Sequence, residues 1–457
     1  MIFSSLLFLF WFIPIFFIFY YLCPEKVRNV VLFVGSIIFY GWGEPKFLIL
    51  IFISILVNYF AGRLIERYYG SPALRKTFLI LAMIFDFGML FFFKYINFFI
   101  TNINGIFGTS LSKVSVTLPL GISFYTFQIA SYVIDTYRGK IKAEHSLLIL
   151  GTYLCMFPQL IAGPIVVYSD VAAALKNRTI DMAKVSDGIS IFVLGLGSKV
   201  LIANNVGALF TEAGKIGYGN VSMPLAWLSM IAYSLQIYFD FNGYSLMAIG
   251  LGKMLGFEFP QNFNHPYMAD SITDFWRRWH ITLSTWFREY VYIPLGGNRK
   301  GEFRTYVNLF IVWTLTGFWH GADWNFILWG LFFFVVLSVE KKFLKNFLGE
   351  HKVFAHIYTK LLIAFSWMIF AITDLKELGV YYKALFNFRF DSEVLFYLRN
   401  YGVVLALGIL LSTPAFAGIY NKYRNRTLGY VFTMLVLILS VAYLADASYN
   451  PFLYFRF

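Results

Sequence analysis

Apolar stretches long enough to cross a lipid bilayer recur along almost the whole chain, and they limit its fold more than any other feature. A spanning helix needs about 20 mostly apolar residues, and inside lipid every backbone polar group must be satisfied within the protein. We therefore predict an all-α, polytopic membrane protein with about 11 transmembrane helices plus re-entrant and interfacial pieces. The predicted apolar runs are residues 3–22, 28–41, 46–65, 77–100, 117–135, 147–165, 187–211, 223–250, 305–320, 324–343, 355–373, 400–420 and 428–446.

Composition and charge agree with a membrane protein. Hydrophobic residues make up 59% of the chain and charged residues 13%, whereas soluble domains have about 45–50% and about 25%. The net charge of +13 comes from Lys and Arg in short loops between apolar runs, which favours positive-inside topology and contact with anionic lipids over nucleic acid. By the same rule, the basic loops at 23–29 and 62–76 predict that the N-terminus faces outward.

Nothing in the sequence divides the chain into separate domains. We find no linker, low-complexity segment or repeat, so we predict one transmembrane domain over residues 1–457. The two cysteines, Cys23 and Cys155, lie in or beside apolar runs and indicate neither a disulfide framework nor a metal-thiolate site. We therefore predict no metal ion.

The stretch 251–304 differs from the apolar runs because it is both basic and aromatic. Within 274–290 the large apolar residues recur at spacings of three and four, which predicts one amphipathic helix. A basic, Trp-rich amphipathic helix lies in the membrane interface rather than across the bilayer. We therefore predict that 251–304 is an amphipathic or re-entrant segment on the cytoplasmic side.

His320 is the strongest candidate for chemistry among the six histidines. It follows an apolar run in the segment Gly317-Phe-Trp-His-Gly321, and an ionisable residue at membrane depth usually faces a bundle interior or a wet cavity. A neutral imidazole is well matched to remove a proton from an acceptor hydroxyl near pH 7. A structural role also fits, in which Gly317 and Gly321 let another helix approach and His320 hydrogen-bonds in the core.

His280 closes the segment Phe275-Trp-Arg-Arg-Trp-His280 on the predicted amphipathic helix. Arginines bind phosphate groups bidentately, and a coenzyme A or phosphopantetheine donor would bring phosphates. The alternative for His280 is a headgroup contact at the aromatic belt of the membrane. Deeper in the run 223–250, Asp240 is expected to face a cavity, either as a ligand contact or as a structural hydrogen-bond anchor.

Taken together, these segments resemble the membrane-bound O-acyltransferase family, and in particular its alginate O-acetyltransferase-like branch. The matching segments follow one another along nearly the whole chain, as Leu118–Gln128, Asp135–Gly139, Phe157–Pro164, Gln236–Gly243, Asp274–Arg299, Gly317–Gly321 and Tyr449–Phe457. The resemblance implies a ring of tilted helices around a central funnel or tunnel. It also implies that His320 is the invariant family histidine and His280 the second recurrent one, and we predict both as catalytic residues.

The resemblance further implies an O-acetyltransferase of the bacterial cytoplasmic membrane, with cytosolic acetyl-CoA as donor substrate and no permanently bound cofactor. The acetyl group would pass outward to a polysaccharide acceptor, directly or through an SGNH-hydrolase-like transferase partner. Asn242, Leu246 and Ala371 differ from the family pattern, so the particular glycan is not implied. The residues predicted to bind donor or substrate are Gln159, Tyr238, Asp240, Trp276, Arg277, Arg278, Trp279, Asn298 and Trp319.

Two other functions are compatible with the sequence. One is acyl or D-alanyl transfer from a carrier-protein thioester to a cell-wall polymer, as in teichoic-acid D-alanylation proteins of the same family. The other is a non-enzymatic transporter of a glycan or acyl species. Transporters typically contain inverted repeats, which we do not find in this sequence, and paired Trp-His segments have no evident use in transport.

Overall fold

The computed structural model describes residues 1–446 and residue 453. Within these residues the protein consists of α-helices and short helical turns without a β-strand, which confirms the predicted all-α class. The family-like segment Tyr449–Phe457 lies outside the described residues, except for Leu453.

Contacts within the chain define two units. The first comprises Met1–Phe192 and Met247–Pro260, and the second comprises Val193–Leu246 and the residues from Gln261 onward. The predicted single domain over 1–457 stays a prediction. The first unit contains α1 (Phe8–Leu22), α2 (Arg28–Gly43), α3 (Pro45–Arg67), α4 (Pro72–Phe107), α5 (Ile122–Tyr137), α6 (Leu147–Cys155) and α7 (Tyr168–Lys176).

Two long helices, α8 (Met182–Ile216) and α9 (Met223–Met254), contribute residues to both units. The remaining helices belong to the second unit. They are α10 (Ile272–Arg278), α11 (Ile281–Phe287), α12 (Glu302–His320), α13 (Trp324–Val339), α14 (Lys345–Glu350), α15 (Lys352–Ala371), α16 (Leu375–Ala384), α17 (Glu393–Leu411), α18 (Pro414–Tyr423) and α19 (Thr427–Asp446).

Six helices in the described part of the chain are long and apolar enough to cross a membrane, namely α3, α4, α8, α15, α17 and α19. The chain is therefore a multi-pass membrane protein. The expected number of about 11 spans stays a prediction. Helices α2 and α5, for example, have only 16 residues each, which corresponds to about 24 Å at 1.5 Å per residue.

Two of the predicted apolar runs are interrupted within their length, and neither forms one continuous helix. In the run 147–165, α6 ends at Cys155 because Met156 leaves the helical conformation, with φ −48° and ψ 110°. In the run 400–420, α17 ends at Leu411 and α18 begins at Pro414. A proline inside a helix lacks the N–H donor and clashes with the carbonyl four residues earlier, so it starts a new helix here.

Buried polar side chains join elements within the first unit. Asn58 on α3 donates to the carboxylate of Asp86 on α4 at 2.8 Å, and both side chains are fully buried. Gln159, in the short turn Phe157–Leu160, donates to the backbone carbonyl of Tyr153 at 2.6 Å. Such bonds are needed wherever polar groups lie in apolar surroundings, because an unpaired buried donor is unfavourable.

Candidate active site

A cavity of about 740 Å³ lies within the second unit, and both candidate histidines line it. Its size is within the range of small-molecule sites, roughly 300–1,000 Å³. The predicted site residues that line this cavity are His280, His320, Trp276, Arg277, Trp279 and Asn298. The fold therefore brings together residues from α10, from the break between α10 and α11, from the loop between α11 and α12, and from α12.

His280 lies at a break between the short helices α10 and α11. Its backbone is left-handed, with φ 44° and ψ 53°, which is uncommon for a residue other than glycine. The backbone N–H of Ile281 then donates to the carbonyl of Asn262 at 3.0 Å, outside any helix. The continuous helix predicted for 274–290 is therefore wrong, because the chain turns sharply at the residue whose ring lines the cavity.

The aromatic stripe predicted for this segment packs against protein. Phe275 and Trp279 are buried, and their rings stack on each other at 5.6 Å between centroids. The Trp279 ring also lies 4.8 Å from the ring of Trp367 on α15. Trp276 packs against Trp313 on α12, with ring centroids 4.9 Å apart. These contacts hold the segment that ends in His280 against the helices around the cavity.

The His280 ring is buried, with 1% of its surface exposed. Its Nδ1 lies 3.0 Å from Oδ1 of Asn262. The ring meets Phe241 edge-on, with centroids 4.7 Å apart, and lies 6.0 Å from the Trp319 ring. Burial lowers the pKa of His280 to about 3, because the charged imidazolium loses its hydration. The imidazole is therefore neutral at physiological pH.

His320 is the last residue of α12 and is 6% exposed. Three aromatic rings surround its imidazole, those of Trp319, Trp329 and Phe370, at centroid distances of 4.9, 5.1 and 5.2 Å. These walls restrict the orientation of the ring and exclude water from most of it. Because Trp319 also lies beside His280, one indole contacts both histidines.

Helices α12 and α13 approach each other closely next to His320. A Cβ on Gly317 would lie 3.2 Å from the Cα of Gly330 and would overlap the carbonyl oxygen of Phe326. A Cβ on Gly330 would likewise overlap the carbonyl oxygen of Trp313. The prediction that Gly317 permits a close helix contact is thus confirmed, and this contact fixes the end of α12 where His320 lies.

Charged side chains lie along another part of the cavity lining. Lys341 and Lys345 line the cavity and are also exposed to solvent, so the cavity opens to the protein surface beside them. The acidic side chains of the lining both have partners, because Asp270 pairs with Lys352 at 2.6 Å and Glu340 accepts hydrogen bonds from the start of α10. The cationic lining residues are Arg277, Arg288, Lys341, Lys345 and Lys352, so this opening is basic.

Five residues predicted to bind donor or substrate do not line this cavity, namely Gln159, Tyr238, Asp240, Arg278 and Trp319. Arg278 pairs with Asp274 at 2.8 Å, and Asp240 pairs with the buried Lys199 at 2.7 Å. The Tyr238 ring packs against Trp279, with centroids 6.2 Å apart, and Gln159 belongs to the first unit. Of the two roles open for Asp240, its contacts match the structural anchor, and a binding role for any of the five stays a prediction.

Sequence reasoning missed Asn262, Glu340 and the lysines of the opening. Asn262 lies in a loop, and its contact with His280 depends on a turn that no periodicity indicates. Glu340 follows directly after an apolar helix, where an interfacial charge is the ordinary expectation. The one available signal was the cluster Glu340-Lys341-Lys342 between two helices, since charges near a membrane helix end are common at sites as well as at interfaces.

The fold and the cavity define a multi-pass helical membrane protein that buries two histidines, His280 and His320, beside one ligand-sized cavity. Sequence comparison identifies the family, because the profile of the membrane-bound O-acyltransferase family matches residues 140–376. This range includes every residue that lines the cavity. The chain belongs to this family and is an O-acyltransferase, which confirms the resemblance drawn from its motifs.

Individual relatives agree with this assignment. The chain is 38% identical to the "Probable alginate O-acetylase AlgI" of Pseudomonas putida, over 100% of both proteins. It is 37% identical to the peptidoglycan O-acetyltransferase of Helicobacter pylori, over 82% of this chain and 78% of that protein. It is 30% identical to the teichoic acid D-alanyltransferase of Bacillus subtilis, over 50% of this chain and 60% of that protein.

Proposed function

We propose that this protein is an O-acetyltransferase of the bacterial cytoplasmic membrane, which takes the acetyl group from cytosolic acetyl-CoA and passes it across the membrane for O-acetylation of a polysaccharide. The observation that supports the proposal is a cavity lined by both His280 and His320 and opening beside a group of cations. The names of the relatives, an alginate O-acetylase and a peptidoglycan O-acetyltransferase, support a polysaccharide acceptor.

The chemistry required is transfer of an acetyl group from sulfur to oxygen. The acceptor hydroxyl oxygen attacks the thioester carbonyl carbon, a C–O bond forms, and the C–S bond breaks. The hydroxyl proton goes to an imidazole, which we assign to His320, and the leaving thiolate then takes up a proton. His320 suits this role because aromatic walls fix its ring at the cavity and a positioned base contributes about 10²–10⁴-fold.

The basic opening supports a phosphate-bearing donor. Arg277 can bind phosphate oxygens through bidentate hydrogen bonds, while Lys341 and Lys345 act as point charges. Arg288 is paired with its neighbour Glu289 at 3.0 Å. Coenzyme A carries three phosphate groups on one end and the thioester on the other, so its phosphates would lie at the opening with the acetyl group deeper in the cavity. A carrier-protein phosphopantetheine has one phosphate and would use fewer of these cations.

The outward side of the reaction is also part of the proposal. An extracytoplasmic SGNH-hydrolase-like transferase would accept the acetyl group and deliver it to the glycan, or the glycan would accept it directly. Membrane lipids surround the apolar helices in either case.

The test is turnover of radiolabelled acetyl-CoA by the purified protein in lipid nanodiscs. Wild type is compared with His320→Ala and with His351→Ala, a matched control because His351 is exposed and does not line the cavity. We expect His320→Ala to lose at least about 10²-fold in kcat and His351→Ala to keep wild-type turnover. Equal turnover in all three proteins would contradict the assignment of His320.

A second donor separates the acetyl-CoA proposal from its alternative. Wild type that ignores acetyl-CoA but uses a D-alanyl carrier protein would overturn the proposed donor and favour the activity named for the Bacillus subtilis relative. In inside-out vesicles, label supplied outside should appear on a glycan enclosed in the lumen. Label that stays on the outer face would overturn transfer across the membrane.

A further inference from the structure

Asn262 links three parts of the chain through hydrogen bonds, namely its own loop, the segment 280–282 and helix α9. It is buried, with 1% of its surface exposed, and lies in the loop that precedes α10. Its Oδ1 lies 3.0 Å from Nδ1 of His280, 2.9 Å from the hydroxyl of Thr282 and 3.4 Å from the Thr282 backbone nitrogen. Its Nδ2 donates to the Ser245 hydroxyl on α9 at 3.0 Å.

The orientation of the Asn262 amide follows from one of these contacts. The backbone N–H of Thr282 can only donate, so the amide atom that faces it must be the oxygen. That same oxygen faces Nδ1 of His280, and an oxygen of this kind can only accept. Nδ1 therefore carries the hydrogen, and in a neutral imidazole the other nitrogen, Nε2, then has none.

We infer that Asn262 is a positioning residue that fixes His280 in the Nδ1–H tautomer, so that the ring presents Nε2 to a bound substrate as a hydrogen-bond acceptor. The inference rests on the proposed function, since it assigns His280 a part in that reaction. In this tautomer the ring receives a hydrogen bond from the hydroxyl or amide of a substrate. It cannot donate to the thioester carbonyl or to a phosphate, which limits the part that His280 can take in the reaction to accepting a hydrogen bond or a proton.

The surroundings of the ring favour the neutral form that this inference requires. Phe241 on α9 and Trp319 on α12 present apolar rings to it, and burial lowers its pKa to about 3. The other ionisable groups that line this cavity are Asp270, Arg277, Arg288, Tyr292, His320, Glu340, Lys341, Lys345 and Lys352, and Asp240 on α9 is paired with Lys199.

The tautomer can be measured without reference to activity. Protein with isotope-labelled histidine is studied in nanodiscs by solid-state NMR, and the His280 signals are assigned by their loss in His280→Asn. We expect a ring protonated at Nδ1 and unprotonated at Nε2, unchanged between pH 6 and 8. A ring protonated at Nε2 would overturn the inference, whether or not the protein proves to be an acetyltransferase.

The role in turnover is tested with Asn262→Asp, which puts a carboxylate against Nδ1. An adjacent opposite charge raises a histidine pKa by about 1–3 units, here from about 3 to about 4–6, so the acid limb of kcat should gain a further protonation step that the wild-type profile lacks. Asn262→Ala should lower kcat by roughly 10²-fold, because the ring loses its orientation, with little change in KM for acetyl-CoA.

A matched control is Asn308→Asp, which changes another fully buried asparagine whose Nδ2 donates to the carbonyl of Gly297. It should keep the wild-type pH profile even if less protein folds. Identical pH profiles in Asn262→Asp and Asn308→Asp would overturn the inference while wild-type turnover upheld the proposed function. Failure of the proposed function shows instead as absence of acetyl transfer in wild type, with the NMR result still deciding the tautomer.

Discussion

The carboxylate of Glu340 accepts hydrogen bonds from both the backbone N–H of Thr273, at 2.9 Å, and the Thr273 hydroxyl, at 2.7 Å. A third bond comes from the backbone N–H of Ile272 at 2.7 Å. A buried anion at a helix N-terminus pairs with otherwise unbonded N–H groups and with the positive end of the helix dipole. Glu340 therefore anchors the start of α10, and α10 ends directly before the Trp279-His280 pair.

Replacing this carboxylate should weaken both the fold and the site. In Glu340→Gln one oxygen becomes an NH₂ group that faces backbone donors, and leaving such donors unpaired costs about 1–3 kcal/mol. We expect a lower thermal unfolding midpoint in nanodiscs together with reduced acetyl-CoA turnover. Glu350→Gln, at an exposed position on α14, is the control. An unchanged midpoint for Glu340→Gln would show that these hydrogen bonds add nothing to stability.

The close contact of α12 and α13 predicts strong sensitivity at Gly317. A methyl group there would overlap the carbonyl oxygen of Phe326, and overpacking of this kind costs typically about 1–3 kcal/mol. We expect Gly317→Ala to unfold at lower temperature and to lose turnover, because the end of α12 must move. Gly402→Ala on α17 is the matched control, since no atom lies within 4 Å of its added Cβ. Equal stability of the two variants would contradict the close approach of these two helices at Gly317.

The cations of the opening should act on donor binding rather than on chemistry. Exposed charge pairs contribute about 0.2–1 kcal/mol each, so Lys341→Ala combined with Lys345→Ala should raise KM for acetyl-CoA roughly 2- to 30-fold with kcat nearly unchanged. The KM of wild type should also rise with salt, and that of the variant less so. Lys142→Ala, on an exposed loop of the first unit, is the control. A KM that responds equally to salt in both proteins would argue against these lysines as donor contacts.

Glu144 predicts a pH-dependent stability in the loop after α5. Burial alone would raise its pKa, but hydrogen bonds from the Tyr168 hydroxyl and from backbone N–H groups, with Lys176 nearby, lower the pKa below its ordinary value of 4.5. A carboxylate with a lowered pKa in the folded state stabilises the protein above its unfolded pKa, and this contribution disappears as the pH falls through the folded pKa.

The measurement is the unfolding midpoint of Glu144→Gln beside wild type at pH 7 and at a series of pH values below 4.5. At pH 7 the variant should be less stable by about 1–3 kcal/mol. The difference should shrink as the pH falls through the lowered pKa of Glu144, because wild type then carries a protonated side chain as well. A difference that persists unchanged at low pH would mean that packing at Glu144, rather than its charge, stabilises the loop.

The sequence predicted the helical class, the membrane location and the two histidines, because hydropathy and charge are properties of neighbouring residues. The bounds of α3 and α19 lie close to their predicted runs for this reason. The positions of the breaks at Met156 and Pro414 were not predicted, because apolar residues flank them and hydropathy does not register backbone conformation. A sequence without an alignment also gives no distance between segments, so the shared cavity of His280 and His320 had to come from the fold.

The residues that support the site, Asn262 and Glu340, could not be predicted from the sequence for a related reason. Asn262 precedes α10 in the chain, but it hydrogen-bonds to His280, which follows α10. Glu340 hydrogen-bonds to the start of α10, which lies many residues earlier in the chain. Both partnerships exist only after the chain has turned at His280 and α13 has packed beside α10. Asp240 shows the opposite case, since its depth in an apolar run was predictable and its partner Lys199 was not.

His280 serves two purposes. Its left-handed backbone lets the chain turn between α10 and α11, and its imidazole ring lines the cavity. Few side chains tolerate that backbone conformation, and for most residues it is unfavourable by about 1–2 kcal/mol. Alanine at this position would disturb the turn and remove the imidazole together, so a dead variant would say nothing about which of them mattered. Asparagine tolerates this backbone conformation better than most residues, so it removes the imidazole while keeping the turn. The replacement chosen at position 280 therefore decides whether a loss of activity can be attributed to chemistry.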